Sequence, residues 1–549
     1  GASAREMLLQ AASQQSGLPR AALTAANGRI SDSSGEVDLG YGELVVTAST
    51  LSVPDKPPLK QANQFNHIGK QNQRLDAQPK VDGSAVFGID APVPDALVAV
   101  LVRCPHFGGS LLRADTSRAE AMPGVEHVVT VDAGVAVVAG NYWRARKAAE
   151  ALELEWQPAD NPLRSSADID AALAAAFDDG DFRSVRDDGQ APQDGSGTLL
   201  EVEYNLPFLA HATMEPMNAT VVPGKGSAEV WVGSQSPDVD RAFAAKALDL
   251  EPEAVTVHNC FLGGGFGRRA AGDCTYEAAQ IAAAIGRAVR LVWSREDDMR
   301  HDFYRPAMKS RLRAQVAEDG TVRSWQHAIA GPSLMQFTVP QFAPAMMPGW
   351  VPDFMVDLAA DLIGSRDWNS TEGASDLPYG FDHIAVDYAN VETPVPLGFW
   401  RSVGHSHNAF VVESFIDEVA HTAGVDPLAF RLRWLPSDGR HRQVLERVAE
   451  MASWGNAPEG HFQGVAVHES FHSVVAEIVE ISLQGGQPRL EKAYCAVHCG
   501  QVINPDIVVA QMEGGLLFGL TAALKGEITL EDGAVQQGNF HDYPSLRMN

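Results

Sequence analysis

Residues 257–286 read VHNCFLGGGFGRRAAGDCTYEAAQIAAAIG. A strand-like run, EAVTVHNCFL, leads into Gly263, Gly264, Gly265, Phe266 and Gly267. The stretch CTYEAAQIAAAIGRAV then reads as a helix, and RLVWS returns as a strand. Clustered glycines let the backbone approach a ligand closely, and successive free N–H groups can bind an anion. Gly265, Gly267 and Ala270 also fit the permissive dinucleotide pattern G-x-G-x-x-A. The helix does not open on those residues, however, because AAGD intervenes. The motif also sits mid-chain, and Glu296 is too far along to serve as a ribose partner. A site where backbone approaches a ligand is the favoured reading, with a dinucleotide site and a purely structural glycine turn as the lesser alternatives.

Strands and helices alternate on both sides of this loop. ALVAVLVRC, VEHVVTV and GVAVVAG read as strands, NYWRARKAAEAL as a helix and ELEW as a strand, together a small α+β domain over 61–160. Residues 1–60 read as a helix followed by turns and a strand, and 161–198 as a linker of Asp/Gly/Ser-rich loops around one Ala-rich helix. A larger mixed domain is expected over 199–435. A helical connection at 436–463 and a final strand–strand–helix region at 464–549 complete the chain. Residues 330–380, rich in Pro, Gly and aromatics (MQFTVPQF, MMPGW), read as irregular. The fold class is mixed α/β with an α+β domain appended.

Composition narrows the function classes. The 549 residues are 45% hydrophobic and 20% charged, an ordinary globular balance. A formal net charge of -28 repels phosphate backbones and disfavours nucleic acid. No uninterrupted apolar run reaches the roughly 18–20 residues that span a bilayer, so no transmembrane segment is expected. Periplasm and cytoplasm both stay open. Five scattered cysteines, with no C-x2-C pair, offer neither a disulfide framework nor an iron–sulfur or structural zinc site.

One literal motif competes. HESFH at 468–472 matches H-E-x-x-H, the zinc-protease signature. That motif chelates because a helix puts i and i+4 on one face, ~6 Å apart. Here Val465 and Val467 alternate with Ala466 and His468, and the following VVAEIVEISL is β-branched. On a strand the two imidazoles share a face but stand about 13 Å apart. They cannot share an ion, and no metal ligand is assigned.

Several further segments, taken in order, carry a resemblance. They are EVEYNLPFLAHATMEPMNATV (201–221), VWVGSQSPD (230–238), FLGGGFGRR, SREDDMRHDFYRP (294–306), GFWRSVGHSHNAFVVESFIDEVA (398–420) and GQVINPDIVVAQMEGGLLFGL (500–520). In combination the chain resembles the molybdenum-binding large subunit of the xanthine oxidase/aldehyde oxidoreductase family, in the branch typified by the beta chain of isoquinoline 1-oxidoreductase. The resemblance implies that 1–60 is the N-terminal remnant of a cofactor subdomain, 61–160 the hammerhead domain, 199–435 the first molybdenum-cofactor-binding subdomain and 464–549 part of the second. It implies a molybdenum–pyranopterin, in the molybdopterin cytosine dinucleotide form, whose own sulfurs hold the metal. It carries site roles onto matching positions. Gln235 would hydrogen-bond the apical oxo group, Arg401 would orient substrate or meet developing negative charge, and Gln511 would touch the pterin. Gly263–Gly267, with Phe266, Arg268 and Trp400, would border the cofactor. Glu215 and the run Glu296, Asp297, Asp298 read instead as ion-pair scaffold.

The implied activity is hydroxylation of a small aldehyde or N-heteroaromatic, with water as the oxygen source. Electrons would leave to a small [2Fe-2S] subunit, and a cytochrome c partner is a further candidate. The family's base glutamate, in a Gly-x-Gly-Glu-type segment, has no match here, and Gly526-Glu527 sits in a strand–turn–strand context. An N-terminal GQG segment is also unmatched, so this stretch alone is expected not to complete catalysis. A cofactor-free binding or chaperone-like homologue is the competing reading, with a zinc protease a distant third.

Overall fold

The structure, a computed structural model, describes residues 1–192, 197–347 and 351–547. Part of the 161–198 linker (193–196) and the last three residues of MMPGW (348–350) therefore lie outside the described residues.

Contacts group the chain into two units. The first comprises 1–73 and 501–508. Helix Ala2–Ser16 stops where Gly17 turns left-handed at φ 75°. It packs with helix Tyr41–Ser49 over an antiparallel meander of Leu23–Ala26, Arg29–Asp32 and Asp38–Gly40. Leu9, Leu23, Ile30 and Leu44 form its core.

The second unit holds 74–500 and 509–549. Its seven-stranded mixed sheet runs Val255–Asn259, Ala228–Val232, Asn218–Pro223, Val289–Val292, Leu97–Arg103, Gly134–Ala139, Val125–Val131. Val289–Val292 pairs in parallel with Leu97–Arg103, so a single sheet runs from the strands of 97–139 into the glycine-loop region. Helix Asp273–Ile285 covers one face with Ala278, Ile281 and Ala282, all fully buried.

A second sheet of five strands runs Thr198–Leu206, Met308–Val316, Val322–Gly331, His383–Asn390, Arg183–Gly189. The last of these corrects the loop expected at 181–190. It pairs antiparallel with His383–Asn390. A third sheet is the meander His461–Ser470, Ser473–Gln484, Gln487–His498. Helix His405–Thr422 joins the second and third sheets. Its Val411, Phe415 and Val419 recur every four residues and are fully buried with Trp325, Ile329, Val465 and Ile478. Each such side chain contributes about 1.5–3 kcal/mol of burial.

One expectation changes. Residues 330–380 are not irregular: helices Leu334–Met346, Asp353–Gly364 and Trp368–Thr371 lie there. Pro340 and Pro344 hid the first, since a proline inside a helix removes a hydrogen bond. The Ser333 cap on Gln336 N–H and packing of Phe337 on Phe303 and Phe342 on Phe399 hold it nonetheless. Among the described residues, helix Pro505–Leu524 is long and apolar enough to cross a bilayer by length and composition alone. It has 20 residues, a mean hydropathy of 1.6 and none buried. Asp506 and Glu513 break the run in the sequence without lowering its average below the threshold for crossing a bilayer by length and composition.

Candidate active site

The glycine loop is held from behind by a buried ion pair. Arg269 donates to the Gly264 and Glu215 carbonyl oxygens at 2.8 Å each and to Glu215 Oε2 at 3.2 Å. Glu215 Oε2 also accepts the Gly263 N–H at 2.7 Å, and Oε1 accepts from Ile89 N–H and Asn218 Nδ2. With both oxygens occupied, Glu215 is scaffold rather than a free carboxylate, and its partner is Arg269 rather than the Arg295, Arg300 or Arg305 expected from the sequence. Asp298 pairs with Arg295, Asp297 caps Ser294, and Glu296 accepts from Asn539.

Gln235 follows strand Ala228–Val232 and is tied twice to the loop. Its backbone N–H donates to Arg269 O at 2.9 Å, and its side-chain Oε1 accepts the Gly267 N–H at 3.0 Å. A backbone N–H can only be accepted by the amide oxygen, so this bond fixes which way the amide points. The exposed Nε2 makes no hydrogen bond to the described residues and is left as a free neutral donor.

Gly267 is required by contact. Its φ is 115°, and a Cβ there would land within bonding distance of the Phe399 carbonyl oxygen. That oxygen also faces His211 Nε2 at 2.8 Å, while His211 Nδ1 lies 3.0 Å from Asp302. The glycine loop and the 398–404 segment therefore meet backbone to backbone.

Beyond Phe399 comes Trp400, buried, with its indole N–H on Ala210 O at 3.4 Å. Its ring stacks on Phe518 at 4.6 Å, and Phe518 stacks on Phe266 at 4.6 Å. Arg401 Nη2 donates to Gln511 O at 3.2 Å and Gln511 Oε1 at 3.3 Å, with the guanidinium 5.9 Å from the Phe518 ring. Partial burial lowers the Arg401 pKa from its usual range, so an anion beside it gains in strength. Gln235, the glycine loop, Trp400, Arg401 and Gln511 are thus brought to one place.

Arg268 is not. Its guanidinium turns inward to Asp273 at 2.7 and 2.9 Å and Asp302 at 3.0 Å, over the Phe303 ring. It is fully buried and tied up in ion pairs. Phe518, the middle ring of the stack, escaped the sequence reading. It lies inside EGGLLFGL, but a single aromatic in an apolar helix carries no signal of its own.

His468, Glu469 and Ser470 of HESFH lie on strand His461–Ser470, as the alternation of Val465 and Val467 implied, and not on a helix. The one-face placement of both histidines is corrected: Phe471 and His472 form the hairpin turn, with φ 46° and 64°. His472 is off the strand, and the zinc reading falls with it. Among the described residues no group of three His, Cys, Asp or Glu is placed to hold an ion.

The site suits a group that brings its metal with its own ligands. It offers an amide donor, a guanidinium and close-approach backbone, and a side chain at Gly265 would fill the space beside Gln235. Two family profiles, each described as a molybdopterin cofactor-binding domain, match residues 176–341 and 430–549. The beta chain of isoquinoline 1-oxidoreductase from Brevundimonas diminuta is 31% identical over 100% of this chain and 74% of its own length. A nicotinate dehydrogenase subunit from Pseudomonas putida is 26% identical over 99% of the chain, which spans 47% of that relative. Quinoline 2-oxidoreductase of Pseudomonas putida 86 shares the fold, with a TM-score of 0.70 at 14% identity over 88% of this chain and 90% of that one. The Gln235–glycine-loop–Arg401 cluster lies largely within these matched domains, and the chain belongs to the molybdenum-cofactor-binding large subunits of the xanthine oxidase family.

Proposed function

We propose that this chain forms the large subunit of a molybdenum hydroxylase that oxidises a small aldehyde or N-heteroaromatic. The net conversion is R–CHO + H2O → R–COOH + 2 H⁺ + 2 e⁻, or C–H to C–OH on an electron-poor ring with the same balance. A bound molybdenum–pyranopterin, in the cytosine dinucleotide form, supplies the two-electron acceptor. A small [2Fe-2S] subunit, and beyond it a cytochrome c partner, would carry the electrons away. The names of the two relatives support the heteroaromatic class, and an aldehyde presents the same kind of electron-poor C–H carbon.

The observation that carries the reading is the oriented amide of Gln235. Its oxygen is fixed by Gly267 N–H, which leaves only N–H to offer. A neutral donor can polarise an oxo group without adding charge. Arg401 provides the fixed positive charge for a substrate carbonyl or ring nitrogen. Trp400, Phe518 and Phe266 form a row of stacked rings at the same site.

The purified protein is assayed for molybdenum, zinc and pterin together. One molybdenum per chain with a pterin is expected. Protein produced with a functioning molybdenum-cofactor supply but carrying neither would overturn the reading.

A further inference from the structure

His468, the first histidine of HESFH, has a partner that its motif does not suggest. Its Nε2 lies 2.9 Å from Nδ1 of His405, so one ring donates and the other accepts. The second nitrogen of His405 lies 3.7 Å from Glu372 Oε2. The other carboxyl oxygen, Oε1, accepts the Gly404 N–H at 2.9 Å. Gly404 closes the turn that bears Arg401. A line of contacts therefore runs from strand His461–Ser470 to the backbone of that turn.

The turn needs to be held. Ser402 and Val403 have φ of 68° and 52°. Left-handed backbone costs an L-residue about 1–2 kcal/mol, and a β-branched valine is a poor occupant. Within the turn Val403 N–H reaches Trp400 O at 2.7 Å. From outside it, Glu372 supplies a side-chain acceptor. Glu372 is itself fixed, because Asn408 Nδ2 donates to its carbonyl oxygen and to that of Ser370, at 2.9 Å each.

We infer that Glu372, backed by His405 and His468, is a positioning residue for Arg401, acting through the Gly404 N–H. The inference rests on the reading of Arg401 as the substrate-facing group. Burial first, then Asp376 and Asp367 nearby, raises the Glu372 carboxyl to about 7. Burial lowers His405, and takes His468 down to about 4. Around the pair stand Asp376, Glu469, His441 and Glu413. Near neutral pH the carboxyl is thus partly protonated beside neutral imidazoles. Oε2 stands 3.7 Å from His405 Nε2, outside hydrogen-bond reach, while Oε1 keeps Gly404. Ionisation adds charge beside Asp376 and Asp367 on the carboxyl that holds Gly404, so the setting of the turn responds to pH.

Two variants separate this role from bulk stability. Glu372→Gln keeps an acceptor for Gly404 but cannot titrate, whereas Glu372→Ala loses both. Hydrogen exchange over 399–406 in the purified chain is expected to rise tenfold or more in Glu372→Ala and to stay within threefold in Glu372→Gln. In the cofactor-loaded enzyme with its partner subunits, assayed with isoquinoline, benzaldehyde and an artificial acceptor, Glu372→Ala raises KM about tenfold with kcat changed less than threefold. Glu372→Gln restores KM and flattens the pH profile of kcat/KM between pH 6 and 8. Unchanged exchange in Glu372→Ala overturns the inference whatever the kinetics. Faster exchange with an unmoved KM overturns it too, since the turn then does not place Arg401. A wild-type protein without molybdenum or turnover refutes the functional reading instead, and the exchange result still decides whether Glu372 holds the turn.

Discussion

Gly267→Ala tests how closely the two halves of the site approach each other. An alanine Cβ would fall on the Phe399 carbonyl oxygen, and restoring an ordinary carbon–oxygen contact requires the segments to part by about 2 Å. That separation breaks the Gly267 N–H bond to Gln235 and strains the one between His211 and Phe399 O. Two such bonds contribute about 0.5–1.5 kcal/mol each. The backbone at φ 115° adds ~1–3 kcal/mol of strain for any side chain. The sum is ~2–6 kcal/mol, concentrated on the site. Gly286→Ala is the control. It also sits at positive φ (66°), but nothing lies within 4 Å of its Cβ, so ~1–2 kcal/mol is expected. Because a chain of this size need not unfold in one step, the assay is local. Hydrogen exchange over 263–270 and 396–404 should accelerate about thirtyfold or more in Gly267→Ala, the equivalent of ~2 kcal/mol or above at 1.4 kcal/mol per decade. Gly286→Ala should leave both segments unchanged. Equal exchange in the two variants would refute the backbone-to-backbone contact.

Three further perturbations follow from the same geometry. Gln235→Glu keeps an oxygen for Gly267 N–H but removes the N–H donor, so steady-state kinetics of the cofactor-loaded enzyme should show kcat down by about 10²–10³ with Gly267 exchange unchanged, and full kcat would show that the amide donates nothing of consequence. Phe518→Ala removes the middle ring of the Phe266–Phe518–Trp400 stack. Tryptophan emission should shift to longer wavelength as Trp400 meets water, with a stability loss of ~1–3 kcal/mol, and an unshifted spectrum counts against the stack. Asp240 is buried against Thr275, and burial raises its carboxyl to about 7. Between the unfolded value near 3.8 and that figure the folded state holds a proton that the unfolded chain has lost. Stability is therefore full at low pH and falls as pH rises to 7, by up to ~4 kcal/mol at 1.36 kcal/mol per pH unit. Asp240→Asn should flatten that slope in urea titrations at pH 4.5 and 7, and an equal slope in both proteins rules the assignment out.

Local pattern carried much of the fold. The strand into the glycine loop and the helix out of it lie where hydrophobic spacing placed them, and HESFH was legible as a strand from Val465 and Val467. The hairpin end was not, because two-residue turns with positive φ favour Gly and Asn, and Phe471 and His472 are neither. Helix Leu334–Met346 was hidden by prolines whose cost is offset by tertiary packing. The site divides similarly. Gln235 and Arg401 could be placed by their neighbours in sequence. The inward turn of Arg268 could not, since Asp302 is far along the chain. Nor could the Arg401–Gln511 and Phe266–Phe518 contacts, which join distant segments that no local spacing relates.

Four non-glycine residues at the site hold positive φ: Ala212 at 48°, Phe266 at 54°, Ser402 at 68° and Val403 at 52°. At about 1–3 kcal/mol each, such strain persists only where surrounding contacts over-determine the backbone. Each has buried polar contacts beside it. Ala212 follows His211 on Asp302, Phe266 precedes the arginines paired to Asp273, Asp302 and Glu215, and the 402–403 turn ends on Glu372. Buried ion pairs are weak evidence for stability, because desolvation offsets most of their attraction. Their placement here fits another role. Each pair is directional and costly to break, so it fixes backbone that hydrophobic packing alone would let relax. The strain then lies in the backbone that fixes Gln235, the glycine loop and Arg401 relative to one another. The apolar cores on either side, built on Ile281 and on Phe415, supply the stability that the site itself does not.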